Sequence, residues 1–214
     1  MRRAAAGLLL ALGVGRWGVA HAQTDRLAGR LAEPTHAAAL ALIDSARAAG
    51  LPADPLVNKA LEGASKGADG PRILAAMRLL AHDLGVARDA LGTTSSESEL
   101  VAGGAALRAG VAPDFLARLR HEHPDESVVV PLAVMADLVT SGVPADTAAR
   151  DVLTLAHAGL REAQLVEFRR DVERDIALGA PAGASAAVRV SAAARGVAAA
   201  PATPTGGTPP RRKP

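Results

Sequence analysis

The chain has 214 residues, a formal net charge of +2 and no cysteine, so it cannot form a disulfide framework. Its sequence pI of about 9.6 suggests a nucleic-acid partner, but eight of the 24 basic residues lie in residues 1–22 and 179–214, which leaves 16 basic against 22 acidic residues between them. Because a nucleic-acid binder carries a basic face on its folded part, this acidic balance excludes that partner for residues 23–178.

The first 22 residues have the pattern of an export signal. Two arginines at positions 2 and 3 precede an apolar stretch from Ala4 to Val14, and the sequence AHA at residues 20–22 fits the small-x-small site of a signal peptidase. The apolar stretch is shorter than the roughly 20 residues that span a bilayer. We therefore predict a cleaved signal and export to the periplasm or the extracellular medium.

The remaining composition favours helix. Phe115 and Phe168 are the only aromatic residues after the predicted signal, whereas strands are enriched in aromatic and β-branched side chains. Apolar residues recur at helical spacing, as in the stripe Leu56, Val57, Ala60, Leu61 and Ala64. The sequence predicts helices over about residues 35–48, 55–66, 71–84, 87–91, 96–109, 113–121, 127–141, 146–158 and 162–177.

A pentapeptide that contains glycine recurs between these helices, as GLPAD from residue 50, GVARD from residue 85, GVAPD from residue 110 and GVPAD from residue 142. Helices commonly end at a glycine with positive φ, after which an apolar residue folds back onto the last turn. The aspartate of the motif, at Asp54 or Asp146, is predicted to cap the following helix. The predicted helix ends are Gly50, Gly85, Gly110 and Gly142.

The recurrence of these helix ends predicts degenerate helix-turn-helix repeats. Its irregular spacing favours an all-α array of helical hairpins packed as a compact bundle over residues 23–178, and a short α-solenoid is the alternative. Residues 179–214 are rich in Ala, Pro and Gly and have no acidic residue, which predicts a flexible tail, with a frayed helix possible over 184–199. The basic end of this tail, PPRRKP, would contact anionic surfaces only weakly.

The sequence RHEHPDE at residues 120–126 contains the candidate metal ligands. His121 and His123 lie beside carboxylates, a combination that suits Zn²⁺ or Cu²⁺ once a third ligand joins them. A cationic helix end followed by Pro124 and a capping Asp125 accounts for the same residues without a metal. We predict no cofactor.

Two classes of function remain. Because helices and their ends account for nearly every distinctive residue, the first is a non-enzymatic binding or scaffold module, with grooves between hairpins for a protein or peptide partner in the cell envelope. The second is a small hydrolase or metal-dependent enzyme whose site is assembled in space. A cleft with two or more buried ionisable groups would favour the enzyme, and an apolar groove would favour the module.

Overall fold

The structure is a computed structural model, and it describes residues 26–199, with side chains up to residue 196. All regular elements in this range are α-helices, which confirms the all-helical class. The predicted signal at residues 1–22 and the end of the predicted tail, residues 200–214, lie outside the described residues. The helices are α1 (Thr35–Ala48), α2 (Asp54–Ser65), α3 (Gly70–Leu91), α4 (Glu97–Ala109), α5 (Pro113–Glu122), α6 (Val129–Thr140), α7 (Ala145–His157), α8 (Glu162–Ala177) and α9 (Ala182–Ala199).

The chain divides into two compact units between Ala81 and His82. In the first unit, α1 packs on α2, and the first part of α3 contributes Met77 to the shared core. The fully buried side chains of this core include Ile43, Leu56, Val57, Ala60 and Met77. The expectation of a single domain over residues 23–178 stays a prediction.

The second unit is built around α6. This helix contacts α4, α7 and α8, while α9 packs on α7 and α8. A helix that is apolar on most sides is stable only when neighbours cover it, and α6 meets that condition in its sequence VVPLAVMADLVT. Its buried residues are Pro131, Leu132, Val134, Met135, Ala136 and Leu138.

Glycine allows α3 and α4 to pack closely. A Cβ atom at Gly103 of α4 would lie 3.0 Å from Cδ1 of Leu91 and 3.1 Å from Cβ of Ala87, both on α3. These distances are shorter than ordinary van der Waals contact between carbon atoms. The absence of a side chain at Gly103 therefore sets the distance between the two helices.

Three of the four predicted helix ends are confirmed. Gly50, Gly110 and Gly142 have φ of 73°, 105° and 97°. The next residue donates its backbone N–H to the carbonyl five residues earlier in each case, as Val143 does to Leu138 at 3.0 Å. This is the Schellman bond that the apolar residue after glycine predicts.

The predicted end at Gly85 is wrong, because this glycine lies inside α3. The helix continues since Leu84, Ala87 and Leu91 all point into the core of the described chain. Its end is the later Gly92, which has φ of 94°. The predicted helices 71–84 and 87–91 are therefore one helix.

The predicted N-cap position of Asp54 and Asp146 is wrong, because the helices begin earlier than expected. Both residues lie in the first turn, of α2 and α7, and the residues at the N-cap positions are Ala53 and Pro144, which make no side-chain cap hydrogen bond. Pro144 already adopts the extended ψ of 137° that precedes a helix, so Asp146 falls too late to cap. Both carboxylates still lie near the positive end of a helix dipole.

Helix α9 occupies part of the segment that we expected to be flexible. It is held by the full burial of Ala186 and by the guanidinium of Arg189, which donates to both carboxylate oxygens of Asp175 on α8 at 2.7 Å. A small side chain and one long cation thus anchor a helix whose composition lacks large apolar residues. Within residues 26–199, no helix has both the length and the apolar character to cross a membrane.

Candidate functional site: a groove beside the α5–α6 loop

The site is built on a buried carboxylate at the start of α4. Ser96 and Glu99 form a capping box: the N–H of Glu99 donates to Oγ of Ser96 at 3.2 Å, and the N–H of Ser96 donates to Oε2 of Glu99 at 2.9 Å. Glu99 is only 7% exposed. The local cap therefore places a charged group inside the second unit.

The other oxygen of Glu99 reaches the α5–α6 connection. Its Oε1 accepts from Nη2 of Arg120 at 2.5 Å and from the N–H of Val128 at 3.2 Å. Burial alone would raise the pKa of Glu99, but the backbone donors and the Arg120 guanidinium outweigh burial and hold the pKa below its usual value. The hydroxyl of Ser96 also donates to Oε2 at 3.2 Å, so the carboxylate is a buried anion with four donors directed at it.

Arg120 fixes the loop that follows α5. Its Nη1 donates to the carbonyl oxygens of His123, Pro124 and Glu126 at 3.1, 3.2 and 3.0 Å. One side chain thus satisfies three carbonyls of a segment that forms no helix of its own. Hydrogen bonds to Arg120 and Glu99 thus hold the α5–α6 loop, residues 123–128, in place.

A groove of about 410 Å³ lies between this loop and the α7–α8 turn. We call it the loop groove. Its apolar residues are Val128, Pro131, Ala156, Leu160 and Leu165. Its polar residues are His123, Glu126, Ser127, Arg161 and Glu162, together with Gly159 of the turn.

His123 is the half-buried ionisable group of the loop groove, with a side chain that is 19% exposed. Its Nδ1 lies 3.4 Å from Oε2 of Glu126, while its Nε2 is buried and has no partner among the described residues. Ser127 is nearby, but its Oγ accepts from the N–H of Val129 at 3.4 Å. The hydrogen bonds of the described residues include none between Ser127 and His123, and Nε2 of His123 has no partner, so the serine–histidine bond of a nucleophilic relay is not formed.

The predicted metal ligands separate in the structure. His123 faces the loop groove, whereas His121 is exposed on the last turn of α5. In the part of the chain that the structure describes, no three His, Asp or Glu side chains are grouped to hold a metal ion. The pair thus has no third ligand from residues 26–199.

Sequence reasoning missed the two residues that organise this site. The spacing Ser96-x-x-Glu99 is a capping-box signal, so the position of Glu99 at a helix start was accessible from the sequence. Its pairing with Arg120 had no local signal, because the two residues are 21 positions apart and meet only through packing.

Comparison of the chain with models of protein families, with curated proteins and with solved structures finds no match.

Proposed function

We propose that the protein is a non-enzymatic binding module whose loop groove accepts a peptide segment of a protein partner. The observation that carries this proposal is the apolar floor of the loop groove beside a loop fixed by the Glu99–Arg120 pair. The export pattern of residues 1–22 supports a partner in the cell envelope.

The size of the loop groove favours a side chain of a peptide. Ligand sites usually enclose about 300–1,000 Å³, so 410 Å³ lies at the small end and suits one or two apolar side chains. Val128, Leu160 and Leu165 would contact such an anchor. The polar rim would meet the flanking peptide backbone.

Rigidity supports the same function. Loops that bind partners are commonly positioned by a rigid scaffold, and a preorganised rim reduces the ordering that binding requires. Arg120 bonds three carbonyls of the α5–α6 loop. A loop held by these bonds would need little further ordering when a partner binds.

The chemistry of the loop groove supports binding over catalysis. Its charged side chains at Glu126, Arg161 and Glu162 are exposed, which leaves His123 as the half-buried one. The competing hydrolase would need Ser127 as nucleophile and His123 as base. Hydrolysis of p-nitrophenyl acetate that disappears in Ser127→Ala would support that enzyme and overturn the binding module.

A direct test uses N-acetyl-leucine methylamide as a minimal apolar peptide. Titration into ¹⁵N-labelled protein is expected to shift the backbone resonances of Val128, Leu160 and Leu165. Ala156→Leu would fill the floor and abolish these shifts, whereas Ala163→Leu adds the same atoms at an exposed position of α8 and would preserve them. Shifts that are absent from the loop groove of the folded protein would overturn the proposal.

A further inference from the structure

A second groove, of about 460 Å³, lies between α5 and α7. We call it the basic groove. It is lined by Arg118, Glu122, Arg150, Leu153, Thr154 and His157.

The two arginines of the basic groove keep their guanidinium groups available. Elsewhere in the second unit Arg108, Arg169 and Arg189 each reach a carboxylate on another helix. Within residues 26–199 neither Arg118 nor Arg150 forms an ion pair, and both are exposed. Arg150 donates from Nε to the carbonyl of Asp146 at 3.0 Å. Burial raises the pKa of the neighbouring Asp151, and the charge of Arg150 opposes that shift without an ion pair between the two side chains. The described residues accept no hydrogen bond from the terminal nitrogens of Arg150.

Glu122 is the carboxylate that lines the basic groove, and among the described residues it pairs with neither arginine. Oε2 of Glu122 lies 4.0 Å from Nδ1 of His157, and the described side chains include no ion pair between Glu122 and Arg118, although the two are one helical turn apart. The groove is therefore lined by one guanidinium group from each of two helices, neither of them in an ion pair among the described residues, and guanidinium groups favour carboxylates as partners.

The two grooves adjoin at the ends of α5 and α7. Glu122 and His157 line the basic groove, and their chain neighbours His123 and Ala156 line the loop groove. Arg118 precedes His123 by five positions, and at about 1.5 Å per residue this is a distance of roughly 8 Å along the helix. An extended peptide covers about 3.3 Å per residue, so it would bridge this distance in about two to four residues.

We propose that the partner segment is an acidic peptide, with its apolar anchor in the loop groove and carboxylates two to four residues away between Arg118 and Arg150. This inference rests on the proposed function of the loop groove. A peptide is favoured over a lipid surface because the two arginines lie in a groove with Glu122 and belong to a chain segment with an excess of acidic residues.

The test compares two amidated peptides, acetyl-Leu-Ser-Ser-Asp-Glu and acetyl-Leu-Ser-Ser-Asn-Gln, by ¹⁵N chemical-shift titration at low salt. We expect the acidic peptide to bind roughly fivefold more tightly, because its carboxylates pair with exposed guanidinium groups. The double variant Arg118→Gln/Arg150→Gln would bind both peptides with the affinity of the neutral one. The control Arg170→Gln removes an exposed arginine of α8 that lines neither groove, and would keep the preference.

The outcomes separate the two proposals. Equal affinity of the two peptides for the unsubstituted protein would overturn the acidic specificity and leave the loop groove as a binding site. Failure of both peptides to bind would overturn both proposals. If phosphatidylglycerol vesicles bind through Arg118 and Arg150 while the peptides show no preference, the basic groove recognises a lipid surface and the acidic-peptide inference is wrong.

Discussion

Glu99 and Arg120, which are 21 residues apart in the sequence, form an ion pair of 2.5 Å that joins the first turn of α4 to the last turn of α5. Both side chains are largely buried, at 9% and 19% exposed. The pair also holds the α5–α6 loop, because Val128 donates to Glu99 and Arg120 donates to three loop carbonyls. We therefore expect the stability of the second unit and the shape of the loop groove to depend on the same two residues.

Loss of one partner of this pair is expected to be severe. Arg120→Ala would leave Glu99 as a buried charge without its cation, and such a change typically lowers the free energy of unfolding by about 3–5 kcal/mol. Urea unfolding followed by circular dichroism measures it. Arg170→Ala, at an exposed position, is the control and should change stability by less than about 0.5 kcal/mol.

The pair also predicts how stability depends on pH. The folded protein holds the pKa of Glu99 below its usual value of 4.5, so in acid the unfolded chain binds the proton more readily than the folded one does. The contribution of this group is fully present above pH 4.5 and is lost as pH falls through the folded pKa.

Urea unfolding between pH 6 and pH 3 tests this dependence in the protein and in Glu99→Gln. Other carboxylates also titrate in this range, so the difference between the two proteins isolates Glu99. We expect the protein to lose more stability in acid than the variant does. Equal losses would show that the pKa of Glu99 is not lowered by folding.

Two glycines inside helices are expected to respond in opposite directions to alanine. Gly103→Ala would place Cβ 3.0 Å from Cδ1 of Leu91 and 3.1 Å from Cβ of Ala87, and overpacking of this kind costs about 1–3 kcal/mol. Gly85→Ala has open space around its Cβ and lies in a helix, so it should stabilise by about 0.5–1 kcal/mol. Thermal unfolding measures both effects: the midpoint temperature should fall in Gly103→Ala and rise in Gly85→Ala.

The glycines at helix ends predict a third kind of response. At Gly110, φ is 105°, a conformation that alanine adopts only with strain. Gly110→Ala should therefore lower the free energy of unfolding by about 1–2 kcal/mol, although the site has room for the methyl group, whose nearest neighbour would be Cβ of Ala145 at 3.8 Å. Unchanged stability would show that the helix end tolerates a side chain.

Local sequence patterns predicted the helices and most of their ends, but not the contacts between them. Gly85 and Gly110 stand in similar pentapeptides, yet only Gly110 ends a helix. The difference comes from burial of Leu84 and Leu91, which keeps α3 continuous and which a local motif does not encode.

The candidate site was less accessible than the helices. The RHEHPDE sequence drew attention to the α5–α6 loop through its histidines rather than through Arg120. The pairing of Arg120 with Glu99 depends on the packing of α4 near α5. No spacing rule relates residues that are brought together in this way.

The central claim is that the buried pair preorganises the loop groove. The double variant Glu99→Met/Arg120→Met tests it most directly, because replacing both members of a buried ion pair with apolar residues often preserves stability. The measurement is the affinity of N-acetyl-leucine methylamide for this variant, determined by ¹⁵N titration once circular dichroism shows that it is folded. Binding at least about tenfold weaker than that of the unsubstituted protein is the predicted result, and unchanged affinity would contradict the claim.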